Sequence, residues 1–498
     1  MPSLTPCPPL DERVDRPLEA LAGRVRSALT EASSGGRRLT RVCVPLSEPV
    51  DPIQWLRAQR TDETVYWSAR PSTPVQQPAA STTNGTSPSI AGGGSTVAGI
   101  GQADLLAGRR QPIEYRRLDR RLSSRLDAAP PGVRYFGGLR FDAPQPHTEE
   151  KGTGLWTSFG TYRFVLPRVE LVDRPDRQVL ACNLVLPRDA DRRDALAAAI
   201  ESLPAPSPGE GGALPAPSRR TDQPDQSGWT RMVRWALDAI EQGRLDKVVF
   251  ARQVTLGLDR PVDPLRVLQH LKAETPGCFH FALGPANGPS FLGASPERLF
   301  RREGDDVLSE AVAGTRARGE TPEADAALRE ELLTSGKERR EHAFVQRALE
   351  EALRALCTTL DGADTPSDLA LARGRHLHAP IRGTLRPKTS TVDLLEALHP
   401  TPAVGGVPTD AALAAIREQE PFDRGWYAGP VGWIGADAAE FAVGIRSGLL
   451  RPDRLALFSG AGIVEGSVPD REWAEIEQKI ADFAAVLGLL RPQDEARP

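Results

Sequence analysis

From Gly228 onward, short β-branched runs punctuated by glycine alternate with a few long helical patterns, and this alternation limits the fold more than any other feature. KVVFARQVTL, beginning at Lys247, reads as a strand. Lys247, Val249 and Ala251 share one face of it, Val248 and Phe250 the other. GWYAGPVGWIG, EFAVGIRSGLL and RLALFSGAGIVEGS read as further strands joined by glycine-rich turns. Ahead of them, Trp229, Val233, Ala236 and Ile240 mark an amphipathic helix that Gly243 can end. A long helix is expected over 323–357, with Val345, Ala348, Leu349, Ala352 and Leu356 as its apolar stripe. Another follows SVPD, where Ser467 and Asp470 fit a capping box. In the first half, TYRFVLPRVELV is a strand of the same kind. Strands mixed with long helices predict mixed α/β (α+β) layering.

Length and composition bound the function classes. The 498 residues suggest about three domains at ~150 residues each, although a single unit with a large sheet also reaches this size. A formal net charge of −4, with arginine spread along the chain, gives no reason to expect a nucleic-acid partner. The five cysteines (Cys7, Cys43, Cys182, Cys278, Cys357) are scattered without CxxC spacing. They suggest neither a zinc site nor a disulfide framework, and fit a reduced, cytoplasmic compartment. The first twenty residues carry acids and prolines where a signal peptide needs an apolar run. No stretch approaches ~20 apolar residues, so no membrane span is expected. Residues 71–98 and 203–227 are rich in Pro, Ser, Thr and Gly, and are expected to be a mobile insertion and a linker. The chain therefore divides into an N-terminal part, 1–228, and a C-terminal core, 229–490.

Several polar residues stand where apolar ones would be expected. Glu338 and Glu341 lie one above the other at the head of the Val345–Ala348 stripe. Carboxylates placed there are costly unless a cation neutralises them; a salt bridge at the end of the stripe is the competing explanation. Glu472, Glu475 and Lys479 repeat the theme beside Ile476, Ile480 and Phe483. Two helices pointing acids inward could form a hard-oxygen site of the kind magnesium takes, whereas surface pairing of Glu475 with Lys479 is the plainer alternative. Lys247 begins an apolar strand; a desolvated lysine can serve as a general base, while most lysines in such places snorkel to solvent. Glu297 follows Pro296 in a turn that could aim a carboxyl into a cleft. The SGAGI glycines could expose backbone N–H groups to an anion or form an ordinary turn, and their spacing is not a dinucleotide fingerprint.

In order along the chain stand KVVFAR (247–252), FLGASPERL (291–299), EAVAGTRARG (310–319), SGKERREH (335–342) and RHLHAPIRGTL (375–385). HPTPAVGGVP (399–408), WYAGPVGW (426–433), the strand holding Arg446 and SGAGIVEGSVPDREWAEIEQK (459–479) complete the series. Together they resemble the chorismate-utilising enzymes, a family that includes isochorismate synthases, salicylate synthases, anthranilate synthase large subunits and aminodeoxychorismate synthases. The resemblance covers about half the chain; YFGGLRFD and YRFVLPRVEL extend it weakly into the first half. It implies a large two-sheet β-sandwich with helices packed outside, spanning residues ~130–490, with 1–70 adding further strands and helices.

The resemblance also implies roles. Lys247 corresponds to the base that activates water, and Glu297 to the acid that protonates the leaving 4-hydroxyl. Glu341 and Glu475 correspond to principal Mg2+ ligands, with Glu338 and Glu472 in support. Tyr427, Arg446 and the Gly460–Ala461–Gly462 backbone correspond to groups holding the enolpyruvyl carboxylate. Lys479 stands beside the ring carboxylate, and His376, Thr315, Ala403 and Val404 belong to the pocket. Ammonia-using members typically carry glutamine where Lys247 stands, and aminodeoxychorismate synthases a nucleophilic lysine where Ala313 stands. Together with HPTPAVGG, these positions resemble the isochorismate synthase branch. The expectation is Mg2+-dependent isomerisation of chorismate to isochorismate, without an obligatory protein partner and as a monomer. Salicylate synthase, which goes on to eliminate pyruvate, is the alternative within the family; a catalytically inactive metabolite-binding paralogue is the alternative outside its chemistry. Menaquinone and siderophore pathways both use isochorismate, and the long N-terminal region leans towards menaquinone.

Overall fold

A computed structural model describes residues 14–31, 38–59, 61, 63–70, 94–109, 112–142, 154–206, 214–372 and 374–487. Its strands form one antiparallel network with two arms that diverge at the long strand Tyr162–Asp173. The first arm runs Arg38–Pro45, Gln178–Leu186, Tyr162–Asp173, Thr96–Gly108 and Thr64–Ser68. It continues through Phe279–Gly284, Ser290–Ser295, Ser447–Arg451 and Arg454–Ile463 to Lys247–Gly257. The second arm leaves through Tyr135–Leu139 and passes along Pro430–Ile434, Ala438–Val443, Arg298–Glu303 and Asp306–Ala317 to Gly374–Leu385.

Alternation along the strands sends side chains to two cores. Val65 and Trp67 enter the core shared by the two arms, whereas Tyr66 between them enters a second core. In the shared core, rings from both arms meet edge-on, Phe164 against Phe441 at 6.2 Å and Phe291 against Trp426 at 6.4 Å. In the second, helices Pro17–Thr30, Pro52–Ala58, Arg193–Glu201 and Pro264–Glu274 cover the first arm with Leu21, Ile53, Ile200 and Leu268. Helix Gly336–Leu356 lays Val345, Leu349 and Leu353 on the second arm. This is the α+β, two-sheet architecture with outer helices that the motifs imply. Strands from the first half are interleaved throughout: Thr64–Ser68 pairs with Phe279–Gly284, and Tyr135–Leu139 with Pro430–Ile434.

Several local expectations need correction. The helix expected over 323–357 is two helices, Pro322–Thr334 and Gly336–Leu356. Ser335 adopts an extended conformation, and its hydroxyl accepts from the Glu338 amide, starting a new helix where the old one stops. The Ser467/Asp470 capping box is absent: Pro469 opens helix Pro469–Val486, and Ser467 Oγ instead accepts from Val464 N at 3.2 Å. Residues 96–98 of the expected insertion belong to the strand Thr96–Gly108, while 71–93 lie outside the described residues. Within 203–227, Arg219–Gln223 adds a strand beside Lys247–Gly257, and helix Gln226–Glu241 has begun by Gln226; 207–213 are outside the described residues. Cys182, Cys278 and Cys357 are free and buried, whereas Cys43 is disulfide-bonded, contrary to an all-reduced set. No helix among the described residues is long and apolar enough to cross a membrane.

Candidate active site

At one end of the two arms lies a cavity of about 670 Å³. Its walls bring together residues as far apart in the chain as Val249 and Phe483. Glu297, Thr315, Glu338, Glu341, His376 and Ala403 line it, as do Val404, Tyr427, Arg446, Gly460, Gly462, Glu472, Glu475 and Lys479. Lys247 lies just behind the wall, 1% exposed, with its Nζ donating to Glu341 Oε1 at 2.9 Å. Gly462 makes that meeting possible: a Cβ there would lie 3.0 Å from both Lys247 Cε and Glu341 Oε1. Ala461 points away into the shared core, and the SGAGI segment is a strand paired with Lys247–Gly257 rather than a turn.

Glu297 is a strongly perturbed acid of the cavity. It sits at the turn between Ser290–Ser295 and Arg298–Glu303, 5% exposed. Burial pushes its carboxyl up to about 8; Lys247 draws it down and Glu310 adds to the rise. At neutral pH it is therefore protonated and able to give a proton. His376 is the opposite case, since burial, the nearby Arg446 and Lys479 bring it down to about 4, so the ring is neutral. Its Nδ1 lies 3.1 Å from the Gly314 carbonyl oxygen, which can only accept, so Nδ1 carries the hydrogen and Nε2 remains an acceptor. Gly314 forms a bulge in the strand Asp306–Ala317 at φ +71°, and a Cβ there would strike the Glu338 carboxylate.

The cations are arranged to receive anions. The Arg446 guanidinium makes no hydrogen bond or ion pair with any described side chain or carbonyl, and its backbone is left-handed at φ +49°. Ala294 N donates to its carbonyl at 3.0 Å, and Ser447 Oγ donates to Gly444 at 2.8 Å; these bonds hold a conformation that costs ~1–3 kcal/mol elsewhere. Tyr427 stacks on Phe458 at 5.1 Å, which directs its hydroxyl towards Gly460. Lys479 Nζ bridges Glu475 at 2.7 Å and the Gly460 carbonyl at 3.0 Å.

The four glutamates share one wall. Glu341 is held by Lys247, Glu475 by Lys479 and Glu338 by Arg316 at 2.8 Å. Glu472 is buried; burial raises its carboxyl, Ser467 opposes that rise, and Glu475 adds to it. Among the described residues, no three His, Cys, Asp or Glu side chains stand close enough together to hold a metal. The four carboxylates that line the cavity, one of them buried without an opposing cation bonded to it, are of the oxygen-donor type that Mg2+ takes, but they do not converge on one point.

A chorismate binding enzyme model matches residues 27–488. The chain belongs to the chorismate binding enzyme family. Among this family's members, the chloroplastic isochorismate synthase of Catharanthus roseus is 33% identical over 95% of this chain and 85% of its own. Isochorismate synthase MenF of Escherichia coli K12 is 31% identical over 91% of this chain and 94% of its own. The solved structure of MenF, the menaquinone-specific isochorismate synthase from E. coli, superimposes with a TM-score of 0.76 at 28% identity. That superposition covers 94% of this chain and all of the other.

Within this chorismate binding enzyme, some supporting residues had little sequence signal. Glu420 and Arg424 form a buried ion pair, 2.8 Å from Arg424 Nε to Glu420 Oε2. Arg424 also donates to the Val404 carbonyl at 2.9 Å and the Val249 carbonyl at 2.6 Å, and Glu420 accepts from Ala251 N at 2.8 Å. The pair thereby ties the HPTPAVGG segment to the strand that begins with Lys247. The sequence hint is a four-residue spacing just past helix Thr409–Gln419, where no helix continues to justify it. Arg424→Met should destabilise the fold by ~3–5 kcal/mol, because Glu420 stays buried without its cation. Urea denaturation checks this; a loss below about 1 kcal/mol would contradict it.

Proposed function

We propose that this chain is an isochorismate synthase that converts chorismate to isochorismate, with Mg2+ as its cofactor. The observation that carries the proposal is one cavity that holds a buried, protonated acid, Glu297, and has a buried lysine, Lys247, just behind its wall. Isochorismate formation adds water at C2 and expels the C4 hydroxyl while the ring double bonds shift. Lys247 is the group placed to take a proton from the attacking water. Glu297 gives its proton to the departing oxygen, so that one water enters and one leaves. Each such positioned group is typically worth ~10²–10⁴-fold in rate. Chorismate carries two carboxylates. Arg446, with Tyr427 beside it, offers an unpaired guanidinium fork for the enolpyruvyl carboxylate, and Lys479 stands beside the acid wall for the ring carboxylate. Glu341, Glu475, Glu338 and Glu472 would hold Mg2+, which when bound neutralises the ring carboxylate and draws charge towards it.

Two further features support this branch. Lys247 stands where ammonia-using relatives carry glutamine, and Ala313, on the cavity wall, offers no amine for covalent amination. The match to MenF over 91% of this chain, and to the solved menaquinone-specific enzyme over 94% of it, supports a place in menaquinone synthesis.

Purified protein incubated with chorismate and Mg2+, without an ammonia source, is expected to yield isochorismate by liquid chromatography. EDTA should abolish it. Salicylate with pyruvate would replace the proposal with the lyase reading, and unchanged chorismate would reject chorismate chemistry. Glu341→Ala should raise the Mg2+ concentration for half-maximal rate and lower turnover together. An unchanged Mg2+ titration would remove Glu341 from the metal site.

A further inference from the structure

Arg70 lies two residues beyond the strand Thr64–Ser68, and its side chain is buried, 5% exposed. Its Nη1 donates to the Pro296 carbonyl at 2.7 Å, and its Nη2 to the two Glu310 carboxylate oxygens at 2.6 and 2.7 Å. Glu310 has other neighbours. Arg298 Nη1 donates to its Oε1 at 2.7 Å while Arg298 Nη2 reaches Glu440 Oε1 at 3.2 Å, and His378 Nε2 stands 3.5 Å from Glu310 Oε1. Burial raises the Glu310 carboxyl, but Arg298, His378 and Arg70 outweigh it and leave it at about 2, so its charge is permanent at neutral pH.

The bond to Pro296 is what sets Arg70 apart, because Glu310 would keep Arg298 without it. Pro296 precedes Glu297 in a turn outside both neighbouring strands. That turn has three anchors near the acid. Ser295 Oγ accepts from Glu297 N at 3.2 Å, Val443 N donates to the Glu297 carbonyl at 3.0 Å, and Arg70 fixes the carbonyl just ahead. Two of these come from the turn and its neighbouring strand, whereas Arg70 comes from the N-terminal part, more than 220 residues away in sequence.

We propose that Arg70 is a positioning residue for Glu297: its guanidinium fork locks the 295–297 turn against Glu310 and thereby presents the acid to the cavity. The inference rests on the role given to Glu297 above. Arg70 itself lines no part of the cavity, so it acts through the turn and not on substrate. The N-terminal part then contributes to catalysis as well as to the sheet.

A misplacement of a reacting group by about 1 Å typically costs ~10²-fold in rate. Arg70→Ala is therefore expected to lower kcat for chorismate consumption by ~10²-fold, with the chorismate KM little changed. Millimolar guanidinium should restore part of the rate by refilling the vacated fork. Arg70→Lys, which keeps a cation beside Glu310 but cannot span both partners, should unfold at nearly the wild-type temperature and still turn over slowly. Wild-type rate in both variants would overturn the inference, as would kcat falling only in proportion to the folded fraction. Following chorismate rather than product separates this result from the proposed function. An active wild type that makes another product leaves the Arg70 comparison decisive, and a wild type that leaves chorismate untouched overturns both.

Discussion

Lys247→Gln is expected to lower turnover of chorismate to isochorismate by ~10²–10⁴-fold, the usual contribution of one positioned proton-transfer group. The amide cannot take a proton from water at any accessible pH. It can still fill most of the space left by the lysine stem between Gly462 and Glu341, and it can donate to the Glu341 oxygen that Lys247 Nζ meets at 2.9 Å. The loss should therefore appear in kcat, with circular dichroism and the unfolding midpoint close to wild type. Steady-state kinetics with chorismate and Mg2+ measure it. Retained turnover would remove Lys247 from the chemistry and leave it a structural partner of Glu341.

A comparable loss, ~10²–10⁴-fold in kcat, is expected for Glu297→Gln, since an amide has no proton to give to the departing hydroxyl. Here pH provides a second readout. Burial lifts the carboxyl from 4.5 to about 8, so the wild-type acid is protonated below that value and its rate should fall as pH rises past about 8. Stability follows the same group. A folded-state value raised above the unfolded one favours folding fully below about pH 4.5, and that advantage declines as pH rises through about 8. Glutamine is neutral throughout, so the variant should lose less thermal stability than wild type between pH 5 and 9. A wild type whose rate stays flat to pH 10, with parallel stability curves for the two proteins, would show that Glu297 is not the buried acid.

Much of this was readable before any fold was known. Trp229 to Ile240 announce their helix and KVVFARQVTL its strand, because periods of 3.6 and 2 are local properties of the chain. The motif series supplied the candidate residues, and all of them except Lys247 and Ala461 line one cavity. Even there, period alone decided that Gly460 and Gly462 face one way and Ala461 the other once the segment is a strand.

Other features depended on contacts that leave no local trace. Ser335 stands among strong helix formers, and only the new direction taken by helix Gly336–Leu356 shows why its hydroxyl caps a helix and brings Glu338 and Glu341 onto the cavity wall. Glu297 in sequence is an ordinary turn glutamate; its raised affinity for a proton comes from burial between the arms and from Glu310 on another strand. Arg70 next to a low-complexity stretch gives no sign that it will meet Pro296 and Glu310. Sequence determined which elements form and which residues can act, because those follow from neighbours a few positions apart. The tertiary structure decided protonation, burial and pairing, because charge and desolvation depend on distance in space, and here partners such as Arg70 and Glu310 stand 240 positions apart in the chain.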